Sequence, residues 1–439
     1  MNLSALMQLF KRPLFANSLW LLLAQLANYS TGFFFWVVIA KSYTPEAVGV
    51  GAAILAVVAL LAFLSQLGIG YGFIRYIVLA GPNSIQLVNE GFTTVALAAC
   101  LFAALFVGTI DIWSPGLVFL RQDLWYALIF VGLTVLNALY YLFHQAYVAV
   151  QHAGFAFSIS VMHGFGKIIA AVGLAALVGG LGIIVSWLIV FAIVALLSFT
   201  LFLPRVLPGY RPQPRVGRQF LGEIGVFSIA NHISIGMWAL PSAVLPQMVL
   251  SNLGSEQNAY FALTWAIVMM PFAVPAAVST ALFAEGSYNV SALRDAFWRA
   301  LGLCAGILLP VGLVLLLAGG HLLRFFGEGY AQEGTLLLVV AVFAVIPGML
   351  NQLYLGIASV QKWLRQLLII TGSQALLTVL VATLLLPYLG ILAAGFGLLV
   401  SHLVIALFVI PRIYSLFVAK PAVVPDQLPG VEYIGKEQP

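Results

Sequence analysis

Long apolar runs separated by short polar breaks fill nearly the whole chain. A membrane-crossing helix needs roughly 20 apolar residues at a rise of about 1.5 Å each. Runs of that length lie near residues 17–40, 47–78, 88–110, 124–149, 155–178 and 182–203, and again near 222–250, 257–284, 296–318, 334–359, 363–386 and 390–417. The pattern predicts twelve spanning helices, six on each side of one longer break. That break, 204–218, reads PRVLPGYRPQPRVGR and carries four arginines and four prolines. With six spans per half, the second half enters from the same side as the first, so a repeat axis would run along the membrane normal. The expected architecture is all-α and polytopic, two six-helix lobes related by a pseudo-two-fold, with a cavity where they meet. Its divisions are an interfacial segment 1–16, a lobe 17–203, a linker 204–221, a second lobe 222–417 and a polar tail 418–439.

Composition makes the bilayer the solvent. Mean hydropathy is +1.10, and 63% of the residues are hydrophobic against 7% charged, too little charge to cover a soluble globule. Lysine and arginine near span ends are retained on the cytoplasmic side. With the N-terminus inside, 14 of the 18 fall on the inner face, Lys41, Arg121 and Arg324 fall outside, and Lys167 lies within the membrane. This predicts a plasma-membrane protein with both termini cytoplasmic. The net charge of +5 is spread along the face that meets anionic lipid, so membrane lipids and not nucleic acid are the expected polyanionic surface. The first apolar run is too long for a signal peptide and has no cleavage site after it. Cys100 and Cys304 fall inside spans three and nine and read as small core residues.

Shifting the chain by 210 residues lays Ser18 on Ser228 and Glu46 on Glu256. Pro241 and Pro246 in span seven, and Pro271 and Pro275 in span eight, each delete a backbone donor; they are either packed kinks or the hinges of a gate. The glycine run 68–72 and the pair Gly302 and Gly306 are expected at close helix contacts.

Candidate chemistry is sparse. Lys167 falls about twelve positions into span five, roughly 18 Å deep, where an ionised lysine costs about 2.5–3.5 kcal/mol. Ser160, His163 and Lys167 share one helix face, and span four brings Asn137, Tyr141 and His144 along another. Together they make either a cationic, hydrogen-bonding pocket or a packing device of the first lobe. Arg75 ends span two as either a charge anchor or a phosphate contact, since a guanidinium fork matches phosphate oxygens. Span one presents Gln25, Asn28 and Gly32 on one face beside Tyr29 and Trp36, and span seven presents Ser228, Asn231 and His232. Amides, hydroxyls and aromatic faces suit sugars, and polar groups also hold helices together in lipid. His402 reads as packing. No nucleophile triad, metal cluster or nucleotide loop is visible, so no enzyme activity, cofactor or metal is expected.

The run 17–77, NSLWLLLAQLANYSTGFFFWVVIAKSYTPEAVGVGAAILAVVALLAFLSQLGIGYGFIRYI, resembles the start of bacterial and archaeal polysaccharide flippases, the oligosaccharidyl-lipid branch of the superfamily that includes multidrug extruders. The resemblance rests on a polar-start first helix, the turn AKSYTPEAVG and a second helix ending LSQLGIGYGFIRYI. It implies a V-shaped pair of lobes flipping an isoprenoid diphosphate-linked oligosaccharide to the outer leaflet for surface polysaccharide or lipopolysaccharide synthesis, by alternating access. Lys167, Arg75, His163, Asn28, Gln25, Asn231 and His144 are the expected substrate contacts. Polysaccharide assembly proteins are the expected partners of a monomer. The alternative is a cation-coupled drug or small-molecule antiporter of the same fold, although spans one, five, nine, eleven and twelve carry no Asp or Glu for a coupling ion. A major facilitator is disfavoured because VLAGPNSIQLVNEG follows span two in place of a basic Gly-Asp-Arg type loop. A membrane glycosyltransferase or polymerase is disfavoured by the short outer loops.

Overall fold

The computed structural model describes residues 13–77, 80–288, 293–361 and 363–417. Most of the expected segment 1–16 and all of the tail 418–439 lie outside the described residues. The first half runs α1 (Pro13–Ser42), α2 (Pro45–Ser65), α3 (Ile69–Tyr76), α4 (Ser84–Gly108), α5 (Leu124–Ala149), α6 (Ala153–Val178) and α7 (Gly182–Leu197). A π-helical turn, Ser198–Phe202, carries α7 on into Leu203–Val206. The second half runs α8 (Arg218–Leu253), α9 (Ser255–Met269), α10 (Ala273–Tyr288), α11 (Leu293–Arg324), α12 (Glu328–Val360), α13 (Leu364–Leu389) and α14 (Leu392–Phe417). No strand occurs among the described residues.

Ten helical stretches are apolar and long enough to cross a bilayer, and one of these, Ala153–Val206, holds both α6 and α7. The 36-residue α8 completes the twelve crossings. Helix starts follow local chemistry. Thr44 caps α2 by accepting from Ala47 N at 3.4 Å, with Pro45 next in the first turn, where no intrahelical donor is lost. Asp123 caps α5 through Trp125 N at 2.8 Å.

Spans two and eight, expected as continuous, are each broken. Leu67 and Gly68 take φ of 49° and 80° between α2 and α3, a left-handed step that ends a helix without proline. Pro271 sits in the turn between α9 and α10, where it has no N–H to continue the ladder. Pro275 stands in the first turn of α10, and Pro241 and Pro246 lie inside α8 without ending it. Gly70 does mark a close contact, since a Cβ there would come within 2.8 Å of the Gln145 side chain. Gly302 and Gly306 do not: a Cβ on either would meet nothing within 4 Å, because that face of α11 is turned away from its neighbours. Cys304 is buried in α11 as expected, whereas Cys100 is exposed on α4.

The two halves repeat one packing scheme. α1 lies on α6 as α8 lies on α13; α4 on α5 as α11 on α12; α5 on α7 as α12 on α14. α6 and α13 are each 26 residues long and each ends at a glycine of positive φ, Gly179 at 54° and Gly390 at 55°. These are two six-helix lobes of one design.

The lobes meet through α2 of the first against α8 and α9 of the second. Near the end away from the 204–218 strap the contact is backbone against backbone: a Cβ on Gly49 would lie 1.7 Å from Ser255 O. Asn258 Nδ2 donates to Gly49 O at 2.7 Å, and Gln247 Nε2 to Ala53 O at 2.7 Å. Ser114 Oγ donates to Gln247 Oε1 at 2.7 Å, so both ends of that buried amide are satisfied. Nearer the strap, Phe63 and His232 stack across the junction with ring centres 4.1 Å apart. The strap itself lies on α4: Asn89 Nδ2 donates to Arg211 O (3.0 Å), while Gln213 N donates to Asn89 Oδ1 (3.2 Å) and Arg215 N to Thr93 Oγ1 (3.0 Å).

Candidate functional site

On the flank opposite the α2–α8 seam, α1 stands apart from α9 and α10 across a cavity of about 1010 Å³. α1 contributes Gln25, Asn28, Tyr29, Gly32, Phe33 and Trp36 to its wall, α8 contributes Trp238 and Ser242, and α9, α10 and Ile307 supply most of the apolar remainder. Phe33 meets Phe326 edge-on at 5.6 Å across the far end, while Gln25 and Thr280, toward the strap, are exposed. The cavity therefore opens toward the strap. Its wall holds no Asp or Glu among the described residues.

The stripe read on span one faces this space. Behind it, Asn28 Nδ2 donates to Ser160 Oγ at 3.3 Å, and His144 Nε2 lies 2.9 Å from the same oxygen. Ser160 gives its own proton to Ala156 O at 2.9 Å. A hydroxyl has one proton and two acceptor sites, so both Asn28 and His144 donate to it, which fixes His144 as the Nε2–H tautomer. His163 stacks on Phe191 at 4.4 Å with an interplanar angle of 4°. Its Nε2 is buried without a hydrogen-bond partner among the described residues.

Lys167 is 5% exposed and does not line the cavity. Its Nζ sits over the Trp187 ring at 4.5 Å and the Phe35 ring at 5.2 Å, and no carboxylate pairs with it among the described residues. Two desolvated cation–π contacts, each worth up to about 2 kcal/mol, are large enough to offset the roughly 2.5–3.5 kcal/mol of placing a lysine in the membrane. Asn28 and His144, both half-buried, meet at Ser160, and the buried His163 and Lys167 meet at the Trp187 ring; of the four, Asn28 alone reaches the cavity wall. Arg75 lies on α3 and Asn231 on α8, and their side chains are outside what the structure describes.

A second polar cluster occupies the corresponding place in the other lobe. Gln374 Nε2 lies 2.7 Å from His402 Nε2, Asn351 Nδ2 donates to His402 O at 2.9 Å, and Thr378 Oγ1 donates to Ser401 Oγ at 2.7 Å. It borders a void of about 30 Å³ shared with Trp238, Ser242 and Trp265. A shift of 207 residues, rather than 210, lays His144-Gln145-Ala146-Tyr147 on Asn351-Gln352-Leu353-Tyr354 and Lys167 on Gln374. That shift is the signal by which the second cluster was readable. The first lobe carries a cation where the second carries an amide.

Comparison with solved structures places this architecture. The inward-facing conformation of a multidrug resistance MATE family transporter of the MOP superfamily superposes with a TM-score of 0.68 over 89% of this chain and 94% of that one, at 16% identity. The chain has the fold of the MOP superfamily. The lipid II flippase MurJ in an inward closed conformation superposes at 0.64, with 13% identity over 89% of this chain and 86% of MurJ. An outward-facing MATE family transporter gives 0.58 over 93% and 98%, at 18% identity. These neighbours are two multidrug resistance transporters and a lipid II flippase, and the chain is a multi-pass membrane protein of the same architecture. No protein-family model and no curated protein matches the sequence.

Proposed function

We propose that the chain flips an isoprenoid diphosphate-linked oligosaccharide from the inner to the outer leaflet of the plasma membrane, for surface polysaccharide synthesis, by alternating access. The observation that carries this reading is the cavity: amide and aromatic groups line it, no carboxylate faces it among the described residues, and one flank stands open between α1 and α9–α10. Gln25, Asn28 and the rings of Tyr29, Trp36 and Trp238 suit sugar hydroxyls and C–H faces. The open flank leaves the isoprenoid tail in lipid while the polar head enters. With both termini cytoplasmic, a cavity open on the strap side is the inward-facing, loading state.

The diphosphate falls to Arg75 and to the field of Lys167, which lies behind the wall and acts at a distance rather than by contact. The same positive potential disfavours cationic drugs. The test is reconstitution of the full chain in liposomes with a fluorescent polyprenyl-diphosphate oligosaccharide, alongside ethidium accumulation in a drug-sensitive host. Wild type should flip the glycan, and Asn28→Ala, Arg75→Ala and Lys167→Ala should each slow flipping about tenfold, with ethidium accumulation unchanged. Absence of flipping together with ethidium export that Glu285→Ala abolishes would identify a cation-coupled antiporter instead.

A further inference from the structure

A second pocket lies away from the interlobe cavity, beneath the strap. It has a volume of about 470 Å³ and runs along α4 from Asn89 to Cys100, with Leu139, Phe199 and the strap residues Tyr210 and Pro212 closing its sides. The eleven helical rises from Asn89 to Cys100 span roughly 16 Å, the reach of a substantial part of an acyl chain. The lining is graded. Asn89 and Thr93, which hold the strap, stand at its mouth, and Phe92, Ala96, Leu97 and Cys100 follow inward. Leu97 and Cys100 are exposed, so the groove is open along its length toward the surrounding bilayer.

Two features of the mouth point to a charged, hydrogen-bonding head. Arg211 and Arg215 flank the strap residues of the groove, both exposed, and neither is in an ion pair among the described residues. The acidic side chain on this stretch of α4, Glu90, is buried and accepts from Gln86 Nε2 at 2.8 Å. Tyr210 is 4% exposed and lines the groove, and its hydroxyl has no hydrogen-bond partner among the described residues. The π-helical turn at Ser198–Phe202 places Phe199 edge-on to Phe92 at 5.2 Å, walling the side opposite the strap.

We infer that this groove binds one anionic phospholipid of the leaflet on the strap side, with an acyl chain along α4 and the phosphate between Arg211 and Arg215. Basic residues at the headgroup level each add appreciably to the binding of anionic lipid, while the apolar wall alone would take any diacyl lipid. The site is separate from the transport cavity and does not depend on what that cavity carries.

The experiment is native mass spectrometry of the purified full chain in detergent, titrated with dioleoylphosphatidylglycerol or dioleoylphosphatidylcholine. Wild type should retain the anionic lipid about twentyfold better. Replacing both Arg211→Ala and Arg215→Ala on the exposed strap should lower that retention about twentyfold and leave the zwitterionic lipid unaffected. Ala96→Trp should fill the groove and reduce both. Equal retention of the two lipids by wild type, or retention by the double arginine variant equal to wild type, overturns the inference. So does displacement of the lipid by millimolar inorganic phosphate, which would indicate a site for free anions.

Discussion

Ser160 is the residue on which the first lobe's polar cluster turns, because it accepts from both Asn28 and His144. Ser160→Ala leaves two donors without their acceptor, at a cost of about 1–3 kcal/mol. The melting temperature in detergent should fall by several degrees, and the His144 ring should lose its fixed tautomer by ¹⁵N NMR. Lys167 separates charge from packing. Lys167→Met keeps most of the apolar stem of the side chain between Trp187 and Phe35 and removes the cation, so it should fold at least as stably as wild type while glycan flipping drops. Lys167→Glu places an anion over two ring faces that repel it, and should lower the melting temperature. Lys167 was conspicuous in the sequence because a charge deep in a span has no bland surface role. What the sequence could not give is the rotation of α6 that puts Lys167 behind the wall instead of on it. Gln25, Asn28 and Gly32 were legible as a polar stripe because the rest of α1 is so apolar, but not as lining a cavity rather than holding helices together, and Asn28 does both.

At the scale of elements, the strap is a bound part of the first lobe. Asn89 uses both its amide oxygen and its amide nitrogen on strap backbone, so Asn89→Leu removes two hydrogen bonds at once. Trypsin should then cut after Arg215 about tenfold faster than in wild type, with the melting temperature of the helices little changed. The Arg and Pro content marked this stretch as an orientation signal and a tether, but nothing in it announced the partner, since the holding groups are side chains of α4 reaching for bare backbone. The broken span two escaped for a related reason. Leu67 at φ 49° is a conformation that leucine rarely signals, whereas Pro271 marked span eight for a kink or a hinge, and the structure has a full turn there. The second lobe's cluster was missed because the register of spans ten and eleven differs by three residues from that of spans seven and eight.

For the whole molecule, the decisive asymmetry is a seam on one flank and an opening on the other. Asn258 and Gln247 are the hydrogen-bonded fasteners of that seam at the end away from the strap. Losing both should weaken closure there by about 2 kcal/mol, enough to shift the balance of open and closed forms up to about thirtyfold. In a chain with Cys100 and Cys304 replaced by alanine, spin labels at the exposed Glu46 and Asn252 should report a longer distance in the Gln247→Leu, Asn258→Leu variant. Gly49→Val should act more strongly, since its side chain would occupy the place of the Ser255 carbonyl. A variant pair with unchanged distances would leave those contacts without a role in closure.

The strap is fixed by its backbone as far as Arg215, and α8 begins at Arg218. Val216 and Gly217 alone lie between, and the three steps from Arg215 to Arg218 reach no more than about 11 Å. The inner end of α8 is therefore leashed to the first lobe like a door to its jamb. Whatever swing the second lobe makes is restrained at that corner, and the edge it leaves free of the first lobe is the one formed by α10.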